Sequence, residues 1–302
     1  MNDVGQGGYS LTHPPGFGIV PDVHQSSGPL TADTLAAMRS QMEAGLPGVQ
    51  KNNGLLDYGL SCEVLIHFLG FPWVKEQILE RKNTYFDPGS IEDVGNHRGH
   101  LHEHRVTTLG RRLFELQDVP GFDAMVRRLH GVALSGAYAE VLAVALLRLG
   151  GQSVRFVEPV GVRTQDFDAA IIGNGHEIAV EVKARDEETL AAYRDVSVLN
   201  SLNKARKQVP RQGPALVFVQ ICSSWAGDMA TRASIDASVR SWMRGVSRVN
   251  AVVLMFEQFV PHGEAGVVVI VGFDVIANPS PRTDVPNIMG VLRGLELSLD
   301  LN

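Results

Sequence analysis

The sequence has no run of about 18 apolar residues, and this excludes a helix that crosses a bilayer. It has only two cysteines, Cys62 and Cys222, far apart in the chain. A disulfide framework is therefore not expected, a reducing cytoplasm fits, and the two thiols read as core residues rather than nucleophiles. The first residues, Met1-Asn2-Asp3-Val4-Gly5, lack the basic start and apolar stretch of a secretory signal. Positive charge is also scarce: 27 Lys and Arg stand against 33 Asp and Glu, a net charge of −6. That argues against wrapping of nucleic acid by the whole surface and leaves room only for a local basic groove. The deficit is general, with 11 basic and 15 acidic residues up to position 130 and 16 and 18 after it.

What is present divides the chain of 302 residues into three parts. Residues 1–30 are rich in Gly, Pro, Ser and His, and Thr12-His13-Pro14-Pro15-Gly16 cannot be helical, so a loose arm is expected. Residues 31–130 read as an α-rich region. Thr31 looks like a cap for a helix ending near Gly45, a second helix covers Leu55 to Leu69, and Pro72 opens a third over Trp73 to Arg81. Asn83 to Arg105 reads as polar and turn-rich, and helices resume at Thr108 to Leu116 and Phe122 to Leu129.

Residues 131–302 have a different texture. Ala137 to Leu149 is a strong helix stopped by Gly150-Gly151. Strands follow at Val154 to Val157, Phe167 to Ile172 and Glu177 to Lys183, then helix over Glu187 to Gln208. The rest reads as strand over Ala215 to Ile221, helix over Ile235 to Met243, and strands over Val249 to Phe256 and Val267 to Phe273. The order α-β-β-β-α-β, with additions, implies a mixed α/β core.

The hairpin in this order carries the chemistry. With Asn174-Gly175 as a two-residue turn, Gly173 pairs with His176, Ala170 with Ala179, Asp168 with Glu181 and Asp166 with Lys183. Alternation then puts Asp166, Asp168, Glu181 and Lys183 on one face, and Phe167, Ala169 and Ile171 on the other. Carboxylates opposed at about 5 Å destabilise a sheet unless a cation offsets them. Lys183 supplies one positive charge, and a divalent metal would supply the rest. Glu140 sits on a helix among Ala137, Val141, Leu142, Val144 and Leu146, where an uncompensated carboxylate would cost several kcal/mol. The hairpin site is the expected source of that compensation.

The sequence Tyr138-Ala139-Glu140, then Gln165-Asp166-Phe167-Asp168, then Val180-Glu181-Val182-Lys183-Ala184-Arg185 resembles the PD-(D/E)xK nuclease superfamily, which includes restriction endonucleases, Holliday-junction resolvases and Mrr-like enzymes. The likeness covers Gly136 to about Phe273. Gln165 stands where the family often has Pro, and two aspartates compete for one role: Asp166-Phe167 matches the usual form of the motif, whereas Asp168 is better placed by the hairpin. The resemblance implies a restriction-endonuclease-like mixed β-sheet flanked by helices, and hydrolysis of phosphodiester bonds, most naturally in DNA. It implies Mg²⁺ or Mn²⁺ held by Asp168 or Asp166, Glu181 and Glu140, with Lys183 orienting or deprotonating the attacking water. A homodimer is an expectation from the same source. Two other readings stay open, a catalytically silent binding module and a nuclease directed at RNA.

Two further clusters stand out. Arg194, Lys204, Arg206, Lys207 and Arg211 face only Asp195, a local excess of positive charge; with Arg185 they form a candidate phosphate-contacting surface beside the site. His97, His100, His102 and His104 lack the spacing of usual zinc sites, and a polar loop, or a DNA-contacting one through His97, Arg98 and Arg105, is expected there.

Overall fold

A computed structural model describes residues 28–45, 53–80, 84–86, 98–131, 134–162, 164–173, 176–185, 195–262 and 266–283, together with 285, 290 and 292. The expected arm up to residue 27, the turn residues 174 and 175, His97 and Arg194 lie outside the described residues. Nine α-helices are described: α1 (Ala32–Gly45), α2 (Asn53–Leu69), α3 (Phe71–Val74, continued by a π-turn Lys75–Leu79), α4 (Arg98–Leu116), α5 (Phe122–Leu129), α6 (Leu134–Leu149), α7 (Asp195–Gln208), α8 (Ser223–Gly227) and α9 (Met229–Met243). The six described strands are β1 (Val154–Phe156), β2 (Ala169–Gly173), β3 (His176–Ala184), β4 (Ala215–Ile221), β5 (Val249–His262) and β6 (Gly266–Ala277). They form one sheet in the order β1-β2-β3-β4-β5-β6, parallel at β3–β4 and β4–β5 and antiparallel elsewhere. The chain is thus mixed α/β, with a six-stranded mixed sheet flanked by helices.

β4 reads ALVFVQI and is buried throughout, as a central parallel strand covered on both faces should be. Its alternate residues enter two cores. Leu216 and Phe218 join Val180, Val182, Val253 and Met255 against α6 and the helices before it. Val217 and Val219 join Ala179, Val252 and Leu254 against α7 and α9. Leu65 of α2, Leu113 of α4 and Met125 of α5 belong to the first core, so the early helices and the sheet share one apolar interior.

Local choices fix these positions. Thr31 caps α1, accepting from the Thr34 N–H at 3.1 Å. Gly110 allows α4 to touch α2, because a Cβ there would lie 2.6 Å from Cβ of Ser61 and 2.7 Å from its Cα. Gly121, at φ 85°, starts α5 where a Cβ would come within 2.5 Å of the Phe156 carbonyl oxygen of β1.

The expected polar loop before Thr108 is instead helix: α4 begins at Arg98. Leu101, Arg105, Leu109, Leu113 and Leu116 follow one buried stripe, but the second position on it is charged, which hides the periodicity. Arg105 does not face solvent or DNA. It is 4% exposed and forms a bidentate pair with Glu257 of β5, Nε to Oε2 at 2.9 Å and Nη2 to Oε2 at 2.6 Å among its contacts. Its guanidinium stacks over the Tyr85 ring at 4.0 Å and donates to the Tyr85 carbonyl at 2.8 Å. His102 binds the Tyr58 hydroxyl at 3.0 Å and the Phe86 carbonyl, so its ring nitrogens serve packing between elements. Both cysteines are buried, and burial pushes the Cys62 thiol up to about 12, which fits inert core residues.

Candidate functional site

The hairpin register is as expected where the strands pair: Gly173 faces His176, Ala170 faces Ala179, and Ala169 faces Val180. The ladder stops at Ala169, and there the alternation expected upstream fails. Phe167 turns to the α7 side and packs with Ala170 and Ala179, so it does not share a face with Ala169 and Ile171. Asp168 sits at the parting of β2 and β3. Its N–H donates to the Val180 carbonyl at 3.0 Å, and its Oδ2 accepts from the Val182 N–H at 2.6 Å. A side-chain carboxylate therefore takes the ladder hydrogen bond that a backbone carbonyl would have taken. The β2–β3 ladder ends there, beside Glu181 and Lys183, which stay paired with β4.

Ala179 belongs to the α7-side core, and strand alternation puts Glu181 and Lys183 on that same face. Glu181 is 0% exposed and pairs with the Lys183 ammonium. Among the described residues neither of its carboxylate oxygens has a hydrogen-bond partner beyond that ion pair. Burial is the main cause of a pKa raised to about 9, reinforced by the charge of Asp168 and opposed by Lys183. Asp168 is raised for the same first reason, with Lys183 and the Val182 N–H pulling it back.

Glu140 comes from α6, which packs on β3 from the other side. Burial, then the charge of Asp168, lifts its pKa to about 8. Its direct partner is Arg128 of α5, with Nε 2.8 Å from Oε2. Compensation of Glu140 was expected from the hairpin; it comes first from Arg128, and Lys183 adds a weaker attraction. Arg128 also donates to the Val157 carbonyl at 2.9 Å, tying α5 to the end of β1. Sequence reading passed over Arg128. The signal was faint: Arg127-Arg128 at the last turn of a short amphipathic helix, where a cation also suits the helix dipole.

The two aspartates separate. Asp166 is spent on its own loop, its Oδ1 accepting from the N–H groups of Val160 at 2.8 Å and Gly161 at 3.1 Å. Asp168 is the one grouped electrostatically with Glu140, Glu181 and Lys183. The expected pairing of Asp166 with Lys183 does not form, because β2 begins only at Ala169.

The basic residues scatter. Arg185 is engaged with the Ser197 carbonyl at the start of α7. Lys204 and Lys207 are exposed on the outer side of α7, opposite buried Val198, Leu202 and Ala205. Lys207, with Arg206 and Arg211, also lines a cleft of about 450 Å³ together with Arg248 and Arg282. The last two come from segments that showed no charge pattern in sequence. The expected single surface beside the site is therefore divided, with Arg185 near the carboxylates and the others at the far end of α7.

The donor chemistry of Glu140, Asp168 and Glu181, oxygen ligands alone, is of the kind a hard divalent cation takes. Among the described residues no three Asp, Glu, His or Cys side chains already converge on a common point at ligand distance. No family model, no curated protein and no solved structure matches this chain.

Proposed function

We propose that this protein is a metal-dependent nuclease of PD-(D/E)xK type that hydrolyses phosphodiester bonds in DNA. The observation that carries the reading is the electrostatic grouping of Glu140, Asp168, Glu181 and Lys183, from three separate elements, about the point where β2 and β3 part. Four buried or half-buried charged groups have no structural need to gather at a break in a sheet; burial, reinforced by the charge of Asp168, lifts Glu140 to about 8 and Glu181 to about 9. Asp168, Glu181 and Glu140 would hold Mg²⁺ or Mn²⁺. Such an ion, when bound, lowers the pKa of a water and polarises a phosphoryl oxygen. Lys183, partly exposed and anchored on Glu181, orients the attacking water and offsets negative charge developing on the phosphate. Arg128 holds Glu140 in place from behind.

A second reading, a binding module without catalysis, is favoured by one observation: Glu140 and Glu181 already have cationic partners. One experiment separates the two. Supercoiled plasmid, linear DNA and single-stranded RNA are incubated with Mg²⁺ or Mn²⁺, with EDTA and with the Lys183→Ala variant. Metal-dependent cutting lost in both controls supports the nuclease, and the substrate cut assigns DNA or RNA. Absence of cutting on all three, with the protein folded, rejects it.

A further inference from the structure

The cleft lined by Arg206, Lys207, Arg211, Arg248 and Arg282 collects five cations and no carboxylate on a chain whose net charge is −6. They come from three places: the end of α7 and the turn after it, the turn before β5, and the segment after β6. Such a concentration repels itself unless it serves an anion. Among the described residues, Arg206, Lys207 and Arg211 form no ion pair.

The cleft is also built. Asn278, 7% exposed, donates from Nδ2 to the carbonyls of Val246 at 2.9 Å and Val249 at 2.7 Å. Asn250, 4% exposed, donates from Nδ2 to the Thr283 carbonyl at 2.8 Å and accepts from the Ala215 N–H at 3.1 Å. Arg282 donates its N–H to the Ser247 carbonyl at 2.5 Å and its Nη1 to the Arg211 carbonyl at 3.3 Å. Two buried amides and one arginine thus lock the three cation-bearing segments together before any ligand arrives. Preorganised cations lose little freedom on binding.

Its place in the sheet says what anion it suits. Glu181 is level with Val217 of β4 and Val252 of β5; across a bulge in the β4–β5 register, Val249 is level with Ala215 and Ala179, two residues before Glu181, and Arg248 lies one residue further. The cleft therefore lies about 10 Å along the strands and about 10 Å across them from the carboxylates, on the order of 14 Å away. A small phosphate compound bound in the cleft cannot reach the carboxylates; a polymer of regularly spaced phosphates reaches both.

We propose that this cleft binds the phosphodiester backbone of the nucleic acid whose scissile bond lies at Glu181 and Lys183. The proposal rests on the nuclease reading for its substrate class, but its test does not require cleavage. Binding of a fluorescein-labelled DNA duplex of about 25 base pairs is followed by anisotropy in EDTA, from 50 to 200 mM salt. The variants are Lys207→Gln/Arg211→Gln, at two exposed positions of the cleft, and Arg39→Gln/Arg111→Gln, a control of equal charge change on α1 and α4. Loss of two phosphate contacts lowers the slope of log affinity against log salt by ~1.8. The cleft double variant is expected to show that drop and a tenfold or greater loss of affinity at 100 mM salt, while the control with the same change in charge binds like the unaltered protein. An unchanged slope and affinity in the cleft double variant, or no duplex binding by the unaltered protein at 50 mM salt, overturns the proposal. So does displacement of the duplex by sub-millimolar pyrophosphate at matched ionic strength, which would reassign the cleft to a small phosphate compound. Absence of metal-dependent cleavage by the unaltered protein would reject the nuclease reading and leave the binding result standing.

Discussion

Replacing Glu181 by glutamine tests the electrostatics of the site without changing its shape. Glu181 is fully buried, and its carboxyl is lifted from an ordinary 4.5 to about 9. The folded-state pKa lies above that of the unfolded chain, so the associated stability is complete below pH 4.5. It drains away as pH rises and is gone by about pH 9. At pH 7.5 the unfolded chain has gained from ionising over about three pH units that the folded site refuses, at about 1.4 kcal/mol each. The charges of Asp168 and Glu140 also act on Glu181 and share the effect, so we expect Glu181→Gln to be more stable than the unaltered protein by about 2–4 kcal/mol at pH 7.5. Urea denaturation at intervals from pH 5 to 9 reads this directly. The two proteins should be nearly equal at pH 5 and diverge as pH rises. Millimolar Mg²⁺ should narrow the gap by stabilising only the protein that keeps its carboxylate. Parallel curves across the whole range, with Mg²⁺ affecting both alike, would refute the reasoning.

The division of labour between the aspartates predicts opposite phenotypes. Asp166→Ala loses two hydrogen bonds to the Val160–Gly161 loop and should cost about 1–3 kcal/mol in urea denaturation while retaining cleavage. Asp168→Asn should fold and lose metal-dependent cleavage by at least a hundredfold; retention of activity would move the metal role away from Asp168. Arg105→Met leaves Glu257 charged and buried, and denaturation should register about 3–5 kcal/mol of lost stability. Adding Glu257→Gln to it should restore much of that loss; a double variant as unstable as the single would show that packing on Tyr85, rather than charge, is what matters.

The elements that followed from the sequence are those whose side chains repeat with one period. β4 begins and ends where its apolar run does, and α6 is marked by eleven buried residues and a glycine stop. The hairpin register from Gly173 to Ala170 followed from an Asn-Gly turn between alternating strands. Glu140, Asp168, Glu181 and Lys183 were also visible, because charge set into apolar helix or strand stands out. Other features were decided by distant contacts that no local pattern encodes. The first turns of α4 are held by Arg105 reaching Glu257, which is 152 residues away. Arg128 acquires its role only when Gly121 lets α5 lie against β1, and Arg248 and Arg282 join the basic cleft only when Asn250 and Asn278 fasten their segments together. The choice between Asp166 and Asp168 was of the same kind. Both fit the motif, and the parting of two strands at Ala169 left one to brace a loop and the other to face the carboxylates, because hydrogen-bonding partners supplied by the fold, not side-chain type, determine where a charge comes to rest.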